Sequence, residues 1–197
     1  VKAIKAQSNP DGIKLVYIGT IAQTGDRNPP IHWGRAGDPI KISIYDNYAI
    51  TKTIAERTIA ESGLKYWVAI RQTAMLHGGI MNGMDPIMFH LPFNGVFEWS
   101  TDEQSGRLLA NVCKEGIPEE FWCRFFNIGG GEKFRTTNWE FMEKTFGVLG
   151  IKDFRQALEP KWFATQNFHG KWYTDSDVVE NYLHYRSGSF DAFIDEL

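Results

Sequence analysis

Apolar residues in the first 80 positions form two short runs on either side of a helical pattern. Residues 13–19 (IKLVYIG) and 66–71 (YWVAIR) are rich in β-branched and aromatic side chains, which is typical of strands buried in a parallel sheet. Residues 48–62 repeat apolar positions at intervals of three and four, which predicts a helix that ends at Gly63. Strand, helix and strand in this order predict an α/β unit with a right-handed connection.

Beyond Gly78 the pattern changes to short mixed segments rich in aromatic residues. It predicts helices over residues 102–115 and 176–186 and a strand over 125–128. Thr137 and Glu140 have the spacing of a capping box, which predicts a further helix start. We therefore expect the chain to divide near Gly78, without a distinct linker, into a sheet-based part, residues 1–78, and a smaller α/β part, residues 79–197.

Two segments stand apart from this regular pattern. Residues 25–47 are interrupted by Pro and Gly, and loops of this length are usually functional, so His32, Trp33 and Arg35 are candidates for selecting a substrate. The C-terminal tail carries many large aromatics, which we expect in a core or a subunit contact rather than in a ligand pocket. They are Trp162, Phe163, Phe168, Trp172, Tyr173, Tyr182 and Tyr185.

Composition narrows the classes of function. The chain of 197 residues is 43% apolar, and 21 basic against 24 acidic residues leave a net charge of −3, so we expect no nucleic-acid partner and favour a small-molecule ligand. The sequence shows no signal-peptide pattern and no apolar span of 18 residues, so we expect a cytoplasmic protein that does not associate with a membrane. Cys113 and Cys123 are interpreted as reduced core thiols, and the spacing of the five histidines predicts no metal site.

Three residues are the clearest candidates for a catalytic site. Tyr48 and Lys52 are four positions apart on the predicted helix, so they share one face and the ammonium can approach the phenol. A cation close to a tyrosine favours its phenolate, which makes the tyrosine a better acid or base near neutral pH. Thr20 follows the first strand, at the edge where open α/β sheets bind their ligands.

The sequence around these residues resembles the extended short-chain dehydrogenases/reductases, in particular the NAD-dependent epimerase/dehydratase family. The resemblance covers about residues 13–150 and is carried by four runs in the order and spacing of that family. They are VYIGTIAQTGD (16–26), DNYAITKTIAE (46–56), SGLKYWVAIRQTA (62–74) and FNIGGGE (126–132). It implies an α/β fold: the C-terminal half of a Rossmann-like, doubly wound parallel sheet with a smaller α/β substrate domain.

The resemblance also implies roles for individual residues. Tyr48 would be the general acid/base, Lys52 would lower the pKa of Tyr48 and bind the nicotinamide ribose, and Thr20 would take the place of the family's Ser/Thr. Thr73 would meet the nicotinamide end of the cofactor through its backbone. The implied reaction is hydride transfer between NAD or NADP and a carbon that bears oxygen, in a sugar nucleotide or another alcohol or ketone.

The sequence departs from the family pattern at two places. Where many sugar-nucleotide epimerases have an Asn that contacts substrate, this chain has Ala74, which weakens the case for a nucleotide sugar. No G-x-G-x-x-G turn occurs, and Gly129-Gly130-Gly131 is better interpreted as a tight turn in the substrate domain. We therefore expect the chain to be the later part of a longer protein and to be inactive alone.

Two alternatives remain open at this point. The chain could belong to a catalytically silent relative that senses a nucleotide or holds a partner, or it could be an independent structural module. Self-association into a homodimer is left open as well.

Overall fold

A computed structural model describes residues 1–25, 31–82, 86–166 and 170–197. Its α-helices are α1 (Lys2–Lys5), α2 (Asn47–Ala60), α3 (Asp102–Val112), α4 (Asn138–Val148), α5 (Ser176–Leu183) and α6 (Phe190–Asp195). Its strands are β1 (Leu15–Thr20), β2 (Trp33–Gly34), β3 (Trp67–Gln72), β4 (Met75–Leu76), β5 (Val96–Glu98), β6 (Ser100–Thr101), β7 (Arg124–Asn127), β8 (Arg135–Thr137) and β9 (Trp172–Tyr173).

The centre of the fold is a parallel sheet with the strand order β1-β3-β7. Leu15 pairs with Trp67, Thr20 with Gln72, and Val68 with Arg124. In the middle strand Val68, Ala69 and Ile70 are completely buried. This explains why the sequence of β3 shows a continuous apolar run, because a parallel strand between two others is covered on both faces.

Helices cover both faces of this sheet. Val68, Ile70 and Phe126 face a core to which α3 contributes Leu108 and α5 contributes Val179. The alternate positions, Trp67 and Ala69, pack instead against Ile59 of α2 and Leu64. The period of two along β3 thus separates two helical layers, and the doubly wound α/β class is confirmed.

Helix α2 has the boundaries that its flanking residues favour. The Asp46 carboxylate accepts from the backbone N–H of Ala49 at 2.9 Å, as an N-cap does. Helix α2 ends at Ala60, two residues before the predicted limit at 62, and the chain turns away at Gly63, whose φ of +69° an L side chain rarely adopts.

The second part of the chain is built on the antiparallel pair β5 and β8 with α4 packed beside it. The capping box at the start of α4 is present as predicted: Thr137 Oγ1 accepts from the N–H of Glu140, whose carboxylate accepts from the N–H of Thr137. Leu76, Phe97, Trp99 and Phe134 form the core under this pair. None of the helices in the described residues has the length and apolar character needed to cross a membrane.

Three sequence predictions need correction, and the first is that helix α3, expected over 102–115, ends at Val112. Helix α5, expected over 176–186, ends at Leu183 because His184 takes a left-handed backbone with φ +45°. Cys113 and Cys123 are free but exposed, so their interpretation as core thiols is wrong. Cys113 is the residue that caps the end of α3, and Cys123 has a φ of +58° at the turn into β7, so neither side chain enters a core.

The aromatic tail does not form one cluster. Phe163 packs with Met142 and Phe146, whereas Tyr185 belongs to the core of the central sheet. Trp162 is 46% exposed, and Phe168 lies outside the described residues. The expectation of a core role holds for Phe163, Tyr173 and Tyr185, which are all buried.

We expect Tyr185 to make stability fall at alkaline pH. Its hydroxyl donates to the carbonyl of Gly129 at 2.7 Å, and burial raises the pKa of Tyr185 from 10.0 to about 12. The folded protein keeps this proton up to about pH 12, while the unfolded chain releases it near pH 10. The free energy of unfolding therefore falls through that interval, by about 3 kcal/mol for this group alone.

Urea unfolding at pH 9 and pH 11.5 tests this expectation. Tyr185→Phe should be less stable than the wild type at pH 9, and the difference should shrink at pH 11.5. Tyr45→Phe is the control, because Tyr45 is 87% exposed, and it should fall with pH as the wild type does. An equal fall in Tyr185→Phe and in the wild type would contradict the assignment.

Candidate functional site

Thr20 and Thr73 lie at the carboxyl edge of the central sheet. Thr20 ends β1 beside Gln72, is 7% exposed, and its Oγ1 accepts from the N–H of Ala22 at 3.2 Å. Thr73 follows β3 directly, is 4% exposed, and donates its hydroxyl proton to the carbonyl of Glu98 at 2.7 Å. Both hydroxyls therefore shape the local backbone, and Thr20 keeps its own proton available for another acceptor.

Tyr48 and Lys52 lie one turn apart on α2, as their spacing predicts. The Lys52 Nζ lies 5.7 Å from the centre of the Tyr48 ring and 5.4 Å from that of Tyr17. The same ammonium donates to the carbonyl of Ile18 in β1 at 2.9 Å. Since an ammonium has three protons, this bond anchors Lys52 at the strand end and leaves donors for a ligand. The Tyr48 side chain is 56% exposed and accessible.

Tyr17 supports this pair, and sequence reasoning missed it. Its hydroxyl donates to the main-chain carbonyl of Lys52 at 3.0 Å, which ties the helix to β1. Burial, with the nearby Glu56 carboxylate, raises the pKa of Tyr17 above its ordinary value, so the hydroxyl keeps its proton and this hydrogen bond further into the alkaline range than an exposed tyrosine would. In the sequence Tyr17 is only one more apolar residue of a buried strand.

A buried ion pair fixes the same face of α2. Glu56 follows Lys52 by four residues, and its two carboxylate oxygens accept from Arg71 at 3.0 and 2.7 Å. The Glu56 and Arg71 side chains are 5% and 4% exposed, and Gln23 donates to Glu56 at 3.1 Å. This two-point contact holds the orientation of the helix as well as its distance from β3. The sequence does contain a signal for this pair. Glu56 continues the spacing of four that relates Tyr48 and Lys52, and Arg71 is a charged residue in an otherwise apolar strand.

The long segment before α2 is fastened to the rest of the fold. Arg71 donates to the carbonyl of Ala36 at 3.0 Å, and the Ala36 N–H donates to Asp175 at 2.6 Å. Strand β2 in this segment pairs with β9, so His32 and Trp33 lie beside Trp172. Residues 26–30, which include Pro29 and Pro30, lie outside the described residues.

The Gly129-Gly130-Gly131 turn packs around a buried carboxylate. Glu98 is completely buried and accepts from the N–H groups of Gly131 and Tyr173, from Ser176 Oγ, and from Arg135 at 2.8 Å. A Cβ on Gly129 would come within 2.2 Å of the Glu98 carboxylate. A Cβ on Gly130 would instead meet the Phe134 ring at 2.5 Å, and Gly131 has a φ of +81°, so each of the three positions favours glycine for its own reason.

Metal ligands are not gathered in the part of the chain that the structure describes. Within residues 1–25, 31–82, 86–166 and 170–197, no group of three or more His, Cys, Asp and Glu side chains is arranged to hold an ion. His169 lies outside these ranges.

A parallel sheet with helices on both faces, and polar side chains at its carboxyl edge, defines a Rossmann-like α/β protein. Known structures share this fold. A dTDP-glucose 4,6-dehydratase from Bacillus anthracis, solved with NAD, matches with a TM-score of 0.70 and 18% identity over 98% of this chain and 63% of its own. A UDP-glucuronic acid 4-epimerase from Bacillus cereus, solved with UDP-glucuronic acid and NAD, matches with a TM-score of 0.63 and 13% identity over 92% and 59%.

The enzyme WbmG from Bordetella bronchiseptica, solved with NAD and UDP, matches with a TM-score of 0.69 and 17% identity over 98% of this chain and 61% of its own. No protein-family model and no curated protein matches the sequence. This chain thus has the fold of the NAD-dependent dehydratases and epimerases that its sequence resembles, and it spans about three fifths of their length.

Removing one charge of the buried pair should destabilise the fold strongly. We expect Glu56→Gln to lower the free energy of unfolding by about 3 kcal/mol or more, because the Arg71 cation stays buried without its counter-charge. Glu61→Gln, at the C-cap of the same helix, is the control, since the Arg57–Glu61 pair is exposed and should contribute little.

Chemical denaturation of both variants tests this expectation. The double variant Glu56→Gln/Arg71→Met should recover part of the loss, because it removes both buried charges. Equal stability of the Glu56→Gln and Glu61→Gln variants would show that the buried pair does not hold α2.

Proposed function

We propose that the chain belongs to an NAD(P)-dependent oxidoreductase, epimerase or dehydratase that transfers a proton through Tyr48. One observation carries the proposal: Tyr48 is exposed beside Lys52, whose ammonium donates to Ile18 in the strand that ends at Thr20. A phenol, an ammonium and a hydroxyl at the carboxyl edge of a parallel sheet suit proton transfer at a carbon–oxygen bond. The shared fold supports the same class.

Each of the three residues would have its own task. The Tyr48 phenol would give a proton to a substrate carbonyl oxygen or take one from a hydroxyl. The Lys52 ammonium would favour the phenolate form of Tyr48 and donate to the ribose of the cofactor. Thr20 Oγ1 already accepts a hydrogen bond from the N–H of Ala22, so its own proton is directed elsewhere. This proton would be donated to the substrate oxygen and orient it.

The residues present fit the nicotinamide end of a dinucleotide. When bound, the cofactor would accept a hydride from the substrate carbon or deliver one to it. The Lys52 ammonium and the backbone beyond Thr73 would hold its ribose and nicotinamide. These 197 residues contain no G-x-G-x-x-G turn, so the pyrophosphate would be held by residues outside them.

Cofactor binding and substrate binding would be carried out by different parts of the chain. Residues 1–78 would belong to the nucleotide-binding domain, and residues 79–197 would form the substrate domain. The Thr73–Glu98 hydrogen bond and the pairing of β4 with β6 connect these parts next to the proposed nicotinamide position.

A catalytically silent relative is the second candidate. The local use of the Thr20 and Thr73 hydroxyls, which both bond to nearby backbone groups, favours it. Such a protein would bind a nucleotide or a partner without hydride transfer. Cofactor binding without turnover, over a panel of alcohols, ketones and sugar nucleotides, would favour it.

Replacing the Tyr48 hydroxyl in the full-length protein tests the catalytic proposal. We expect Tyr48→Phe to lower kcat by about 10²–10⁴-fold, the usual contribution of a general acid or base. The Kd for NADH, measured by fluorescence, should stay within about twofold, because the ring and its packing remain.

Tyr45→Phe is the matched control, because Tyr45 is exposed and three residues away, and it should keep full turnover. Turnover by Tyr48→Phe at the wild-type rate would refute the role of Tyr48.

A further inference from the structure

An apolar cavity of about 600 Å³ lies between the residues that follow β3 and helix α4. Ala74 and Met75 form its first wall, two and three residues beyond Gln72, the register partner of Thr20. Met142 and Phe146 of α4 form the opposite wall. The cavity therefore begins with the residue that follows Thr73 in the chain and extends into the second part of the chain.

Aromatic rings form a continuous surface inside this cavity. Trp99 stacks on Phe141 with ring centres 4.6 Å apart, and Phe97 lies 4.5 Å from Trp99. Glu98, between them in sequence, interacts instead with Arg135, Tyr173 and Ser176. Side chains therefore alternate along this segment: Phe97 and Trp99 line the cavity, and Glu98 points away from it to its own hydrogen-bond donors.

Methionines make the remaining walls adaptable. Met75, Met81, Met88 and Met142 all line the cavity, which is four of the five methionines in the chain. Methionine has a flexible, polarizable side chain that adjusts to irregular apolar shapes. Such a wall suits a ligand recognised by shape and apolar contact.

The charge of the cavity argues against a nucleotide ligand there. None of its described lining residues is Asp, Glu, Lys or Arg, and His77 is the one ionisable side chain among them. The pyrophosphate of a sugar nucleotide carries negative charge, which proteins meet with Arg, Lys or backbone N–H groups at a helix start. Burying it against methionine and aromatic side chains would cost several kcal/mol.

We propose that this cavity binds the uncharged, apolar body of the substrate, such as the ring system of a cyclic ketone or alcohol. Its volume is typical of small-molecule sites, which are mostly apolar with few polar groups. That the ligand is a substrate rests on the proposed function. That the cavity prefers an uncharged apolar ligand rests on its own lining.

Methionine methyl signals provide a direct readout of binding. Protein labelled with ¹³C-methyl methionine gives one signal for each of its five methionines, which single Met→Leu variants assign. The two probes are 2-tetralone, an uncharged bicyclic ketone, and UDP. We expect 2-tetralone to shift the signals of Met75, Met88 and Met142 saturably, and UDP to leave them unchanged.

Two variants and two controls locate the binding. Ala74→Leu fills the first wall and should raise the Kd for 2-tetralone about tenfold, whereas Ala110→Leu on an exposed face of α3 should not. Leu149→Glu places a carboxylate at the rim and should also weaken binding. Leu149 is 53% exposed, so this variant should fold, and Leu109→Glu at a 40% exposed position is its control.

Several outcomes would overturn the proposal: no saturable shift with 2-tetralone, shifts of the same signals with UDP, or an unchanged Kd in both cavity variants. The assay needs neither cofactor nor turnover, so it is independent of the catalytic test. If Tyr48→Phe keeps full turnover while 2-tetralone binds, the proposed catalytic role fails and the cavity assignment stands. If NADH binds and Tyr48→Phe is inactive but 2-tetralone does not bind, only the cavity assignment fails.

Discussion

The two-point contact between Glu56 and Arg71 is the constraint on which the candidate site depends. It lies inside the fold, where both charges have lost their water, so its geometry has to be good for the fold to tolerate it. Arg71 satisfies Glu56 with two donors and uses a third for the carbonyl of Ala36. One guanidinium thus sets the rotation of α2 and the position of the segment before it, and with them the place of Tyr48 and Lys52.

Glu98 plays a comparable part in the second half of the chain. It is completely buried, and donors from β8, β9, α5 and the glycine turn converge on it. Its main-chain carbonyl accepts from Thr73, immediately after the central strand. A single residue therefore connects the interior of the second part to the carboxyl edge of the sheet. Buried ion pairs of this kind contribute geometry more than net stability.

The sequence predicts the elements whose signal is local. The apolar runs of β1 and β3, the helical period of α2, the capping box at Thr137 and the left-handed Gly63 all depend on neighbours within a few residues. The short strands β2 and β9 are different, because their pairing joins positions about 140 residues apart. The early end of α5 was also missed, since it depends on one residue, His184, adopting a left-handed conformation that is uncommon for residues other than glycine.

The same distinction applies to the site. Tyr48 and Lys52 are neighbours by helical spacing alone, so sequence reasoning brings them together. Tyr17 and Arg71 reach α2 from β1 and β3, and the local signal there is no more than the charge of Arg71 in an otherwise apolar strand. Nothing within a few residues of either position indicates which helical residue it will meet.

The arginines inside the fold also bear on what the site can bind. Arg71 is neutralised by Glu56, and Arg135 and Arg186 both approach Glu98. Their guanidinium N–H groups already donate to protein acceptors, so they are not available for a two-point contact with a phosphate group. Arg35 is 70% exposed, but it pairs with Asp38 in its own loop. The described arginines of the interior therefore stabilise the fold by pairing with Glu56 and Glu98. The described lining of the apolar cavity contains no Asp, Glu, Lys or Arg, which agrees with the uncharged ligand that we propose for it.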